Sequence, residues 1–156
     1  MFVLLPGTGL VLPHRAGTLR FGMSGYAAQW AVSMLCEIHV LKGVGADWTF
    51  TGDYLGLVLT VCGGRDPRGA AHGGGLDYVE VAREPADAAG SEPTGPALVP
   101  VVHRGVDLFG RPRAEVVAHL PRQARVDHGI GRPGGYLQAI GLHGPRERRR
   151  TGDAPG

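Results

Sequence analysis

The sequence predicts an α+β protein, a small antiparallel sheet carrying two short helices. Three observations lead there. Apolar residues make up 43% of the 156-residue chain, enough for one core, while 27 glycines and 12 prolines keep helices short and loops long. Several apolar stretches have the β-branched and aromatic content of strands. Finally, Gly17-Thr18-Leu19-Arg20-Phe21-Gly22-Met23-Ser24 and Gly105-Val106-Asp107-Leu108-Phe109-Gly110-Arg111-Pro112 share Gly, Phe and Gly at one constant offset, and each leads into a segment with helical features.

In chain order, residues 1–13 read as an apolar arm with a strand over 2–5 and a turn after it. Ser24 is a plausible N-cap for a helix over 26–35, in which Ala27, Ala28, Trp30, Ala31, Met34 and Leu35 recur at helical spacing. Gly25 weakens that start. Residues 38–41 suit either a short strand or the tail of the helix. Strands follow over 48–50 and 54–62, the second with a nearly continuous apolar run that favours a central position. The glycine-rich stretch 63–75 is a loop. The strand over 76–81 is then an antiparallel neighbour of 54–62, with Asp77, Val79 and Val81 on one face and Leu76, Tyr78 and Glu80 on the other.

Residues 82–96, rich in proline, acids and small residues, form the best candidate for a flexible loop within a single domain over 1–143. Residues 97–102 make a short extended piece. Pro112 opens a helical stub ending before Pro121, with Val116, Val117 and Leu120 on its apolar side. Residues 144–156 have no apolar period and read as a disordered tail. Tyr54-Leu55 and Tyr136-Leu137 form a weaker second echo. Either an imperfect internal repeat or two separate turn-and-helix starts on one sheet accounts for the pairs, and the second better fits the unlike segments that come after each Phe-Gly turn. On that reading Phe21 and Phe109 are core anchors, and Gly22 and Gly110 are tight-turn residues.

The formal net charge of +2 conceals a polar molecule. Acids outnumber basic residues up to residue 103, whereas arginine dominates beyond it. The apolar start is broken by Pro6, Gly7 and Gly9 and has no basic residue before it, so neither a signal peptide nor a membrane span is expected, and the default is a cytoplasmic protein. Cys36 and Cys62 lie in apolar runs, where reduced thiols are expected.

No residue set rises to an assigned site. Cys36 and His39 have a spacing that offers two zinc ligands, but two more are needed and none stands at a suitable spacing. Cys62, at a strand end before Gly63-Gly64, has the placement of a nucleophile and would need a base such as His72. Ser24 in Gly22-Met23-Ser24-Gly25-Tyr26 approaches a nucleophile elbow, with Tyr26 where glycine belongs. Residues 63–69 lack the lysine and hydroxyl ending of a phosphate loop. Asp127-His128 pairs an acid with a base in a glycine-rich setting. No catalytic, cofactor-binding or metal residue is therefore assigned. Arg111, Arg113, Arg122, Arg125 and Arg132 point to phosphates or an acidic protein surface.

The segments around Arg20-Phe21-Gly22-Met23-Ser24 and Arg104-Gly105-Val106-Asp107-Leu108-Phe109-Gly110-Arg111-Pro112 resemble a group of small actinobacterial proteins. In these a Phe-Gly-Met-Ser/Thr turn opens one helix and an Arg-Gly-Val-Asp-Leu-x-Gly-Arg-Pro segment opens another. The resemblance covers 17–24 and 99–143 best. More distantly, the chain is similar to the helix-and-sheet repeat of β-lactamase-inhibitor and outer-membrane-assembly lipoprotein folds. It departs from them where Gly25-Tyr26-Ala27-Ala28-Gln29-Trp30 replaces a polar helix face. The resemblance implies a shape and transfers no activity. The expectation is a non-enzymatic protein-binding or regulatory module. Its alternatives are a small hydrolase or transferase using Cys62, and a nucleic-acid-binding accessory protein using the C-terminal arginines.

Overall fold

Two sheets organise the chain where one was expected. The computed structural model describes residues 1–41, 47–64, 74–86, 93–122, 124–127 and 135–145. Strands β1 (Phe2–Leu5), β2 (Gly9–Val11), β3 (Thr18–Arg20), β8 (Val101–His103) and β9 (Val106–Asp107) form the first sheet, in the order β3-β2-β1-β8-β9. Strands β4 (Ile38–Leu41), β5 (Trp48–Tyr54), β6 (Leu57–Gly63), β7 (Leu76–Arg83), β10 (Ala124–Asp127) and β11 (Ala139–His143) form the second, in the order β10-β11-β7-β6-β5-β4. The second sheet is antiparallel throughout, whereas β1 and β8 pair in parallel.

The expectation of one small antiparallel sheet is corrected for a physical reason. A sheet is stable only when its apolar face is covered. The N-terminal arm buries Phe2, Leu4, Leu10 and Leu12, and with β3, β8 and β9 it makes a second layer. Both layers share one core, containing Phe2, Leu19 and Val101 from the first sheet and Phe50, Val61, Val81 and Ile140 from the second. Phe2 meets Tyr54 edge-on, with ring centroids 5.9 Å apart.

The expected strand over 54–62 begins later, because Leu55 and Gly56 both take positive φ, 51° and 80°, and form the two-residue turn between β5 and β6. β6 lies between β5 and β7, the central position its sequence predicts, and pairs antiparallel with β7. Its Leu57, Leu59 and Val61 are buried, whereas Val58, Thr60 and Cys62 on the opposite face are partly exposed. The faces predicted for β7 are corrected by a bulge. Leu76 pairs with Gly63 and Tyr78 with Cys62, leaving Asp77 as an extra residue, so that Leu76, Val79 and Val81 are all buried.

Helix α1 (Gly25–Ser33) begins where the Ser24 hydroxyl accepts the Ala27 N–H at 3.2 Å. The glycine that weakens this helix on propensity is required by packing, since a Cβ at Gly25 would stand 2.9 Å from the Trp48 ring. Trp48 is fixed in turn by its indole N–H, which donates to the Gly74 carbonyl at 2.9 Å. Residues 38–41 are strand rather than helix tail. Helix α2 (Arg113–Val116) follows Pro112 and continues as a 3-10 turn over Val117–His119, the stub that the sequence predicts.

Both Phe-Gly segments perform one topological task. β3 is one edge of the first sheet, and its chain runs through α1 to β4, an edge of the second. β9 is the opposite edge of the first sheet, and its chain runs through α2 to β10, the opposite edge of the second. Phe109 is fully buried and Phe21 only partly so. Gly22, with φ +86°, is a turn glycine as expected. Gly110 takes no positive φ and is small for another reason: a Cβ there would overlap the Asp107 carboxylate. Of the 82–96 segment, residues 82 and 83 belong to β7 and 87–92 lie outside the described residues, as do 146–156 of the tail.

Candidate functional site

The second sheet separates the chemistry-bearing residues that the sequence puts forward. Cys36 packs on the core face, where a Cβ at Gly52 would stand 2.7 Å from its sulfur, whereas Cys62 is on the opposite, open face. His39 also faces the open side, with Nε2 3.8 Å from the Asp53 carboxylate. Cys36 and His39 therefore do not converge. Among the described residues no group of three His, Cys, Asp or Glu side chains could hold a metal.

On the open face, pairing aligns Thr49, Cys62, Tyr78 and His143 across β5, β6, β7 and β11. Partial burial pushes the Cys62 thiol up, and the nearby Asp77 and Glu80 carboxylates raise it further. These described neighbours disfavour the thiolate that a nucleophilic cysteine uses. Tyr78 donates its hydroxyl to the Glu80 carboxylate and packs its ring on His143, with centroids 4.6 Å apart. His72, the base that Cys62 would need, lies outside the described residues, as do residues 65–69 of the glycine loop, His128 and Arg132. Ser24 is occupied as a helix cap.

The described arginines of the C-terminal third are dispersed. Arg111, Arg122 and Arg125 are exposed, Arg113 is half-buried beside Pro112, and Arg125 stands on the open face of edge strand β10. Arg122 does meet other basic groups: with Arg104, His103 and His119 it lines an open groove of about 530 Å³. His103, itself buried, has Nδ1 3.5 Å from the Leu4 carbonyl. Among the described residues, no carboxylate lines that groove.

Helix α1 carries the feature that sequence reading missed. It buries Gly25, Ala28 and Val32. Trp30 and Met34, expected on the apolar side, instead point outward at 66% exposure each, with Tyr26 at 81%. Residues four apart share a helix face, so these three form one apolar stripe turned away from the core. Val40 on the adjoining β4 is 57% exposed. The stripe was legible in the spacing Tyr26, Trp30, Met34, which runs beside the buried row Ala28, Val32. A helix with two apolar rows gives no sequence signal for which row faces inward.

The molecule is thus a two-sheet α+β protein with an apolar stripe on one flank and a basic groove elsewhere. Among the described residues, no helix is long and apolar enough to cross a membrane. No protein-family model, curated protein or solved structure matches this chain.

Proposed function

We propose that this is a non-enzymatic protein-binding or regulatory module that engages its partner through the outer face of α1. One observation carries the reading: Tyr26, Trp30 and Met34 are exposed together on one helix face. Tyrosine and tryptophan are the residue types on which interface energy concentrates, and exposed apolar side chains clustered on one element mark interaction sites rather than ordinary surface. The raised thiol of Cys62 supports the non-enzymatic reading over the hydrolase or transferase one.

Affinity capture from the native cell with the full chain and with Trp30→Ser tests this function. The reading expects a partner retained by the first and lost from the second. Equal retention by both, or none by either, removes it.

A second reading, contact with a polyanion such as nucleic acid, is favoured by the groove of Arg104, Arg122, His103 and His119. Phosphate contacts are displaced by salt. Binding to a duplex that weakens steeply with salt, and less steeply in Arg122→Ala, is the expected outcome; salt-insensitive or absent binding counts against it.

A further inference from the structure

Strands β1 and β8 run parallel, so their carboxyl ends lie side by side at one rim of the first sheet. The turn after β1 brings Pro6 to the basic groove, and the end of β8 brings His103 and Arg104. The 3-10 turn after α2 and the chain beyond it bring His119, Leu120 and Arg122. Arg104 and Gly105, with φ of 49° and 80°, form the two-residue turn into β9, which fixes the Arg104 backbone beside the groove.

Two features of this place are left unexplained by the fold. Arg104 and Arg122 are exposed, and among the described residues neither is held in an ion pair. His103 is the reverse case, a ring only 5% exposed, with Nδ1 3.5 Å from the Leu4 carbonyl. That distance is at the outer limit of a hydrogen bond, and Nε2 has no partner among the described residues. A buried polar ring is costly when its hydrogen bonding is incomplete. The groove therefore sets an under-paired histidine beside two guanidinium groups that no described carboxylate neutralises.

We infer that this groove is a binding site for a small phosphate monoester, held through its phosphate by Arg104, Arg122 and Nε2 of His103. The inference uses the basic groups of the polyanion reading but assigns them a single phosphate, and it does not depend on the α1 surface. Two arginines, charged at all ordinary pH, match the roughly two negative charges of a monoester. With Nδ1 beside a carbonyl, Nε2 can accept a P–OH hydrogen when the ring is neutral or donate to P–O⁻ when it is charged, and phosphate offers both. The volume of about 530 Å³ is that of a small-molecule pocket, and Pro6, Ala118 and Leu120 give the organic part an apolar wall. A duplex would need cations along a track of successive phosphates, whereas Arg111 and Arg125 do not line the groove.

Two-dimensional NMR of the full chain, titrated at mildly alkaline pH with phenyl phosphate, inorganic phosphate and phenyl sulfate, tests the assignment. Saturable shifts centred on the amides of Arg104, His119 and Arg122 are expected with phenyl phosphate, and weaker binding with inorganic phosphate. Phenyl sulfate, with the same ring and less charge, should bind about tenfold more weakly. Arg104→Asn removes the cation yet suits a positive φ. That variant and Arg122→Ala should each weaken phenyl phosphate about tenfold, whereas Arg111→Ala should not; circular dichroism checks that all three stay folded. Absence of saturation, equal affinity for phenyl sulfate, tighter binding of inorganic phosphate, or an equal loss in Arg111→Ala overturns the inference. Binding of a DNA duplex without the monoester overturns it too and leaves the polyanion reading standing. Binding of the monoester without the duplex supports it and removes that reading.

Discussion

The two crossovers, β3 through α1 to β4 and β9 through α2 to β10, link the same pair of sheets on opposite flanks and do so by different physical means. In the first, the turn depends on a glycine at positive φ and is tied to the second sheet by hydrogen bonds, Gly22 N–H to the Leu76 carbonyl and Leu76 N–H to the Met23 carbonyl, each 2.8 Å. A serine cap then launches a nine-residue helix. In the second, one carboxylate oxygen of Asp107 accepts the N–H groups of Val101, Phe109 and Gly110 at 3.3, 3.1 and 3.0 Å, and Pro112 precedes a four-residue helix. The first flank is left apolar, and the second is charged. The comparison teaches that a shared entry motif fixes the path of the chain but not the surface that path presents, because the helix after the turn has an outer face the core does not constrain.

The largest expected effect separates the two phenylalanines. Phe109 is fully buried, so Phe109→Ala should destabilise the protein by about 3–5 kcal/mol, and half-buried Phe21→Ala by about half as much. Urea unfolding of both variants measures this, and equal losses would break the assignment of unequal anchors. Next come the glycines. Gly110→Ala must displace a carboxylate held by three N–H groups and should cost about 1–3 kcal/mol. Gly22→Ala meets open space and only the strain of positive φ, roughly 1–2 kcal/mol. Adding Asp107→Ala relieves the overlap in the second turn alone, so in double-mutant cycles it should couple to Gly110→Ala and not to Gly22→Ala.

A smaller effect belongs to the bulge that sets Leu76 against the first turn. Partial burial raises the Asp77 carboxyl above the usual carboxylate range, with His143 opposing the shift. The folded chain therefore holds that proton more tightly than the unfolded chain does. The stability it contributes is fully present below the ordinary carboxylate range and is lost as pH rises through the raised value. Asp77→Asn should remove that fall, seen as a flatter dependence of the urea midpoint on pH between acidic and neutral conditions. The smallest expected change in stability is in Trp30→Ser, which leaves the core intact; a midpoint that moved with Phe109→Ala would mean the stripe is part of the core.

Much of the local structure was legible because it rests on short-range causes. Ser24 and Pro112 mark helix starts through their own backbone chemistry. The apolar content of residues 57–61 marks a central strand wherever it pairs. The turn at Leu55-Gly56 was hidden inside an apolar run, and the bulge at Asp77 depends on its pairing with Cys62 and Gly63, which no local pattern encodes. The candidate surface was hidden for the same reason: Tyr26, Trp30 and Met34 have the spacing of a buried row, and nothing local distinguishes them from one.

By itself the sequence determined an α+β chain with two short helices entered by Phe-Gly turns, since capping, turn geometry and apolar content act over a few residues. Only the tertiary structure decided that the strands divide into two layers, that the turns bridge opposite edges of both, and which row of α1 faces outward. Each of those depends on what lies across the core, where Trp48 takes the space beside Gly25 and leaves Trp30 outside.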